Sequence, residues 1–80
     1  MISVHYYAIL KDLCGCATDE FDVSDSCDGH ELLELVGKRH VNARPILSYV
    51  RLATNDAYLS DDYIFEKGST VLLIPPVSGG

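Results

Sequence analysis

Thr70 to Ile74 is an unbroken run of β-forming residues, opened by a turn at Gly68 and closed by Pro75-Pro76, neither of which can donate an amide to a ladder. A strand bounded in this way needs hydrogen-bonding partners elsewhere in the sequence. The first candidate is residues 2–10, Ile-Ser-Val-His-Tyr-Tyr-Ala-Ile-Leu, where alternation puts Ile2, Val4, Tyr6, Ala8 and Leu10 on one face. Lys11 to Cys16, with Gly15 between two cysteines, reads as a connecting turn. It leads to a second strand over Thr18–Val23 with Phe21 and Val23 on one face, so residues 2–23 are predicted to form a hairpin.

One helix is written between these strands and the last. Asp28 can accept the free amide three residues on, and Glu31 can reach back to the cap residue, the two halves of a capping box. Leu32, Leu35 and Val36 then form an apolar stripe at helical spacing, while Glu34 and Lys38 pair on the outer side. Arg39-His40 suits the negative end of the helix dipole. After a connection containing Pro45, Val50–Thr54 and Ala57–Leu59 flank Asn55-Asp56, residue types that tolerate the left-handed conformations of a tight turn. The pattern predicts an α+β domain over 1–74, a mixed sheet with one main helix across one face, and an extended tail over 75–80.

Composition limits what such a domain can do. Hydrophobic residues make up 48% of the 80 residues and charged residues 22%, enough apolar surface to offset the entropy of ordering one small domain. Twelve acids outweigh six bases, and Lys11, Lys38, Arg39, Arg44, Arg51 and Lys67 are scattered, which disfavours nucleic acid and favours a protein partner with a basic surface. No window approaches the roughly 20 apolar residues of a membrane span, and the first residues lack the basic start and apolar run of a secretory signal. The expectation is a cytoplasmic protein without membrane contact. Cys14, Cys16 and Cys27 are then expected to be free thiols. A zinc site built from them with His30 would need a non-standard spacing, so no metal site is predicted. His5, His30 and His40 each stand alone in sequence and read as surface or cap residues.

The tail carries the chemistry. With no Cβ on Gly79 or Gly80, the backbone can enter a narrow channel and bring the terminal carboxylate close to a nucleotide. Pro75 and Pro76 favour an extended, pre-ordered path, which lowers the entropy lost on docking. Pro75-Pro76-Val77-Ser78-Gly79-Gly80 resembles the C-terminal signature of the molybdopterin synthase small subunit family. Residues 8–15, Ala-Ile-Leu-Lys-Asp-Leu-Cys-Gly, resemble that family's stretch after its first strand, and Tyr6-Tyr7 and Asn55 also fit. Where many members have an acidic Asp-Gly-Asp-type turn before the last strand, this sequence has Lys67-Gly68-Ser69, so salt bridges made by those acids are not expected here.

The resemblance implies a ubiquitin-like β-grasp fold and a carrier without catalytic side chains or a bound cofactor of its own. Gly80 would be adenylated by a ubiquitin-activating-like adenylyltransferase, which consumes ATP, and then thiocarboxylated. Residues Pro75, Pro76, Val77, Ser78, Gly79 and Gly80 would enter the active site of the molybdopterin synthase large subunit, in an assembly of two small and two large subunits. An acyl adenylate makes chemical sense as an intermediate, because a bare carboxylate is a poor acyl donor.

Alternation adds a docking face. If Ile2, Val4, Tyr6, Val71 and Leu73 face the helix, then Tyr7, Ile9, Leu72 and Ile74 point away from it as an apolar outer surface. The resemblance places the large-subunit contact there, nominating Tyr7 and Ile74, together with Tyr58 and Leu59. Three other functions share these features: a thiamine-pathway sulfur carrier, a ubiquitin-like modifier joined to lysines, and a non-covalent adaptor that uses the outer face alone.

Overall fold

The computed structural model describes residues 1–76; the expectations placed on Val77, Ser78, Gly79 and Gly80 lie outside them. β1 (Ile2–Tyr6) buries alternate residues Ile2, Val4 and Tyr6, and β7 (Thr70–Ile74) does the same with Val71 and Leu73. The two strands pair in parallel, with Val4 opposite Val71 and Tyr6 opposite Leu73. Because parallel strands need a long crossover, the intervening chain has to pass over the sheet. β2 (Thr18–Phe21) pairs antiparallel with β1, β4 (Arg51–Ala53) pairs antiparallel with β7, and β5 (Tyr58–Leu59) closes the far edge. The sheet order is β2-β1-β7-β4-β5.

The crossover contains α2 (Gly29–Arg39), and it starts where the sequence places it. Asp28 Oδ1 accepts from the Glu31 amide at 2.8 Å, and Glu31 Oε1 accepts from the Asp28 amide at 3.1 Å. A cap of this kind contributes about 1 kcal/mol. The wholly buried Leu32 and Val36 each contribute roughly 1.5–3 kcal/mol by leaving water. The stripe therefore anchors the helix while the box fixes its first residue. Leu35 lies at the edge of the stripe, half-buried.

Three predicted elements change. The first strand stops at Tyr6, because Ala8–Cys14 form a helix, α1, whose Leu10 is completely buried. Ala8 and Leu10 satisfy a period of two, but Leu10 and Leu13 also satisfy a helical spacing of three, and tertiary packing selects the helix. Gly15, at φ 73°, is its left-handed C-cap, its amide bonded to the Lys11 carbonyl at 2.9 Å, so this glycine ends a helix instead of forming a hairpin turn. β2 ends at Phe21, leaving Val23 in the core beyond the strand.

Two short strands were not anticipated. β3 (Ser26–Asp28) and β6 (Ile64–Glu66) form a separate two-stranded sheet, with Cys27 opposite Phe65 and both buried. The Pro45 connection is a 3-10 turn (Val41–Ala43) running into α3 (Arg44–Leu47), with proline in the first turn. The Asn55-Asp56 hairpin forms as expected, the Thr54 amide bonding the Ala57 carbonyl at 2.9 Å. Gly68, at φ 88°, makes the predicted turn before β7.

Candidate functional site

β7 presents one face to α2 and the other outward, so Leu72 and Ile74 emerge beside their antiparallel neighbours Ala53 and Arg51. Ala53 in turn pairs with Tyr58, which brings Tyr58, Leu72 and Ile74 to one side of the sheet. The turn over Thr54–Ala57 walls this patch, enclosing a groove of about 320 Å³ with an apolar floor. The Arg51 guanidinium stacks 3.9 Å from the centroid of the Tyr58 ring, which braces an otherwise exposed side chain and puts a positive charge at the groove's rim.

The four nominated docking residues separate by geometry. Tyr58 and Ile74 share the groove. Tyr7 is the extended residue immediately after β1, exposed, and next in register beyond the Tyr6–Leu73 pair. Leu59 pairs with the buried Leu52 and packs against the core, so it belongs to the opposite side of the sheet. Ile9 is exposed on α1 and is not part of the sheet. Toward β2 the outer side carries Ser3, His5, Thr18 and Glu20, and the apolar surface is confined to the β7–β4–β5 half.

That half is also where β7 ends. Ile74 ends β7, Pro75 is buried, and Pro76 is exposed. Pro75 therefore packs with the domain.

A second cluster went unnoticed in the sequence because three separate segments supply it. Asp19 on β2 accepts from Tyr6 Oη at 2.9 Å, lies 2.5 Å from His40 Nε2 and 3.6 Å from Cys16 Sγ, and pairs with Arg39 at 3.3 Å. His40, the C-cap of α2, is thus engaged with β1 and β2 and does not stand alone. Arg39 also lies 4.0 Å over the Phe21 ring. Burial works against the Asp19 carboxylate, but hydrogen bonds from His40 and Tyr6 and the charges of His40 and Arg39 outweigh it and hold its pKa below the ordinary value. The same surroundings push Tyr6 well above its usual range, chiefly by burial. Burial, then the neighbouring charges, pushes the Cys14 thiol up to about 11, and Cys16 is raised as well, so neither thiol is an activated nucleophile. Cys27 sits in the core and His30 is exposed at the start of α2; of the four residues weighed for zinc, Cys16 alone belongs to this cluster.

The sequence profile of the ThiS family matches residues 4–80. The chain belongs to the ThiS family. Relatives align from end to end: the molybdopterin synthase sulfur carrier subunit of Drosophila sechellia is 33% identical over 86 residues, covering 100% of this chain and 93% of that protein. That of Chlamydomonas reinhardtii is 27% identical, covering 99% and 98%. Among solved structures, a Pyrococcus furiosus protein provisionally named molybdopterin converting factor, subunit 1, superposes with a TM-score of 0.82 at 26% identity, covering 95% of this chain and 97% of its own. The small archaeal modifier protein 1 of Haloferax volcanii shares the fold, with a TM-score of 0.82 at 17% identity and coverage of 95% and 97%. The ThiS-family chain therefore has the ubiquitin-like β-grasp fold that the sequence predicts. Among the described residues, no helix is long and apolar enough to cross a membrane.

Proposed function

We propose that this chain is the sulfur-carrier subunit of a molybdopterin synthase, working through a thiocarboxylate on Gly80. The observation that carries the proposal is the end-to-end match to proteins of that name, in a chain whose family match runs through Gly79-Gly80. The fold is consistent with it: β7 is locked between β1 and β4, Pro75 is packed, and β7 ends beside an apolar groove suited to a partner surface.

The chemistry runs in two stages. The Gly80 carboxylate attacks the α-phosphorus of ATP on an activating adenylyltransferase, and pyrophosphate leaves. A sulfur donor then displaces AMP, which carries away one carboxylate oxygen, and the C-terminus becomes a thiocarboxylate. Docked on the large subunit in the cytoplasm, with two copies of each subunit in the assembly, the tail bonds its sulfur to a pterin precursor, and water then cleaves the acyl–sulfur bond, leaving the sulfur on the pterin and restoring the carboxylate. The large subunit supplies the acid, base and phosphate-binding groups. The carrier contributes reach, a slim backbone and the groove around Tyr58 and Ile74.

Intact mass spectrometry tests this directly. With the activating enzyme, ATP and a sulfur source, the C-terminal peptide should exchange one oxygen for one sulfur, and Gly80→Ala should block the exchange while leaving the domain folded. A tail that stays a carboxylate under those conditions sinks the proposal and leaves a non-covalent adaptor. Isopeptide bonds from Gly80 to lysines of other proteins would instead mark a protein modifier.

A further inference from the structure

We propose that Cys16, Asp19 and His40 form a binding site for a thiophilic divalent cation, with Zn²⁺ the best chemical fit. The site lies away from the groove, between the turn after α1, the start of β2 and the end of α2, and the carrier chemistry makes no use of it. One thiol, one carboxylate and one imidazole converge there, with their donor atoms all within 4.8 Å of one another. These are the three donor types that zinc takes from proteins.

The distances suit such an ion. With Zn–S near 2.3 Å and Zn–O near 2.1 Å, a tetrahedral edge between sulfur and oxygen is about 3.6 Å. The Cys16 Sγ to Asp19 Oδ2 separation is 3.6 Å. The His40 Nε2 to Asp19 Oδ2 separation of 2.5 Å would have to open to about 3.4 Å, a small rotation of the imidazole or carboxylate. Tyr6 Oη, 2.9 Å from Asp19, already orients the carboxylate as an outer partner does in metal sites. The side chains of His40 and Asp19 are 15% and 19% exposed, so the ion has a route in and a fourth position that water can fill. Arg39 opposes a cation, but it pairs with Asp19 Oδ1 and not with the Oδ2 that faces Cys16 and His40, is held by the Glu20 carbonyl at 2.8 Å and the Phe21 ring, and has a side chain 43% exposed to screening water.

The rival description is a closed hydrogen-bond network that needs no ion, and titration of the full chain with Co²⁺ as a zinc surrogate separates the two. Binding at the site should saturate at one equivalent and give tetrahedral visible bands with a thiolate-to-metal charge-transfer band. Cys16→Ser should abolish the charge-transfer band, and His40→Gln should weaken binding by more than about tenfold, the lower end of what outer partners alone are worth. Absence of stoichiometric binding overturns the proposal, as does binding that survives both substitutions. Should either variant fail to fold, the unmodified chain supplies the answer. Zn²⁺ should shield Cys16 from alkylation, as mapped by mass spectrometry, and equal labelling with and without Zn²⁺ refutes the site.

Discussion

Gly29→Ala probes a close contact of α2 with β4 and the Asp61 turn. Gly29 is the first residue of α2, buried where the helix meets β4 and the turn before β6. A Cβ there would lie 2.3 Å from Leu52 Cδ1 and 2.5 Å from the Asp61 carbonyl oxygen. Leu52 is wholly buried and has little room to rotate, and the Asp61 carbonyl accepts the His30 amide at 2.9 Å. Restoring ordinary contact means moving one or both by about 1 Å, an overpacking that costs about 1–3 kcal/mol. Weakening the bond to His30 adds about 1 kcal/mol, and the better helix propensity of alanine returns at most about 1 kcal/mol. The net expectation is a loss of about 1–3 kcal/mol, or roughly 5–20 °C in Tm for a domain of this size. Gly37→Ala is the control. Its Cβ would meet Leu47 Cδ1 at 3.2 Å and Arg44 Cγ at 3.4 Å, both on side chains that can yield, so the propensity gain should leave it neutral or slightly stabilised. Thermal and urea unfolding followed by circular dichroism measure both. A Gly29→Ala protein as stable as the parent, or a Gly37→Ala protein that loses more, would refute this account of how α2 sits on the sheet.

Other expectations concern the cap, the Asp19 cluster and the groove. Asp28→Ala removes the half of the capping box made by its carboxylate, leaves the residue-28 amide donating to Glu31, and should cost about 1 kcal/mol, seen as a urea midpoint shifted without a change in slope. Because the pKa of Asp19 is lowered in the folded state, its contribution is complete above the ordinary carboxylate value of 3.8 and fades as pH falls through the lower folded value. With chelator present, Asp19→Asn should therefore be less stable than the parent near neutrality, and the gap should narrow in acid; a pH-independent gap would contradict the ionic account. Tyr58→Ala should weaken docking on the large subunit by at least tenfold, as a central aromatic contact does, with unchanged thermal stability. Unaltered affinity by calorimetry would move the interface elsewhere.

What the sequence revealed depended on how local each signal is. The Asp28–Glu31 box, the Gly68 turn, the Asn55-Asp56 hairpin and the β7 stop at Pro75-Pro76 are each encoded within a few residues, and each forms as read. Ala8–Leu10 was misread because a short apolar stretch satisfies both periods, and the choice rests on Leu10 reaching the core. β3 and β6 were invisible for a different reason: three residues each carry almost no pattern, and they are strands only because residues 26–28 and 64–66 meet across the fold. The Asp19 cluster lies further still from sequence reading, since Tyr6, Cys16, Asp19 and His40 share no spacing rule and are joined by topology alone.

Topology also explains why so little of this domain needs chemical specialisation. The parallel pairing of β1 with β7 puts the last strand in the middle of the sheet, hydrogen-bonded on both sides, so Pro75 and Pro76 follow a central strand and not a fraying edge. They follow directly from a strand fixed on both edges, as the proposed delivery of Gly80 to a partner requires. The groove along that strand is made of side chains whose neighbours face the core, Leu72 and Ile74 alternating with Val71 and Leu73. Packing the core and presenting the outer surface are therefore one act of strand register. A one-residue slip of β7 would bury Leu72 and Ile74, expose Val71 and Leu73, and cost fold and groove together. The turn at Lys67–Ser69 is free of that constraint: it needs the left-handed conformation of Gly68 and the bond from the Gly68 amide to the Met1 carbonyl at 2.8 Å, neither of which asks for acidic neighbours.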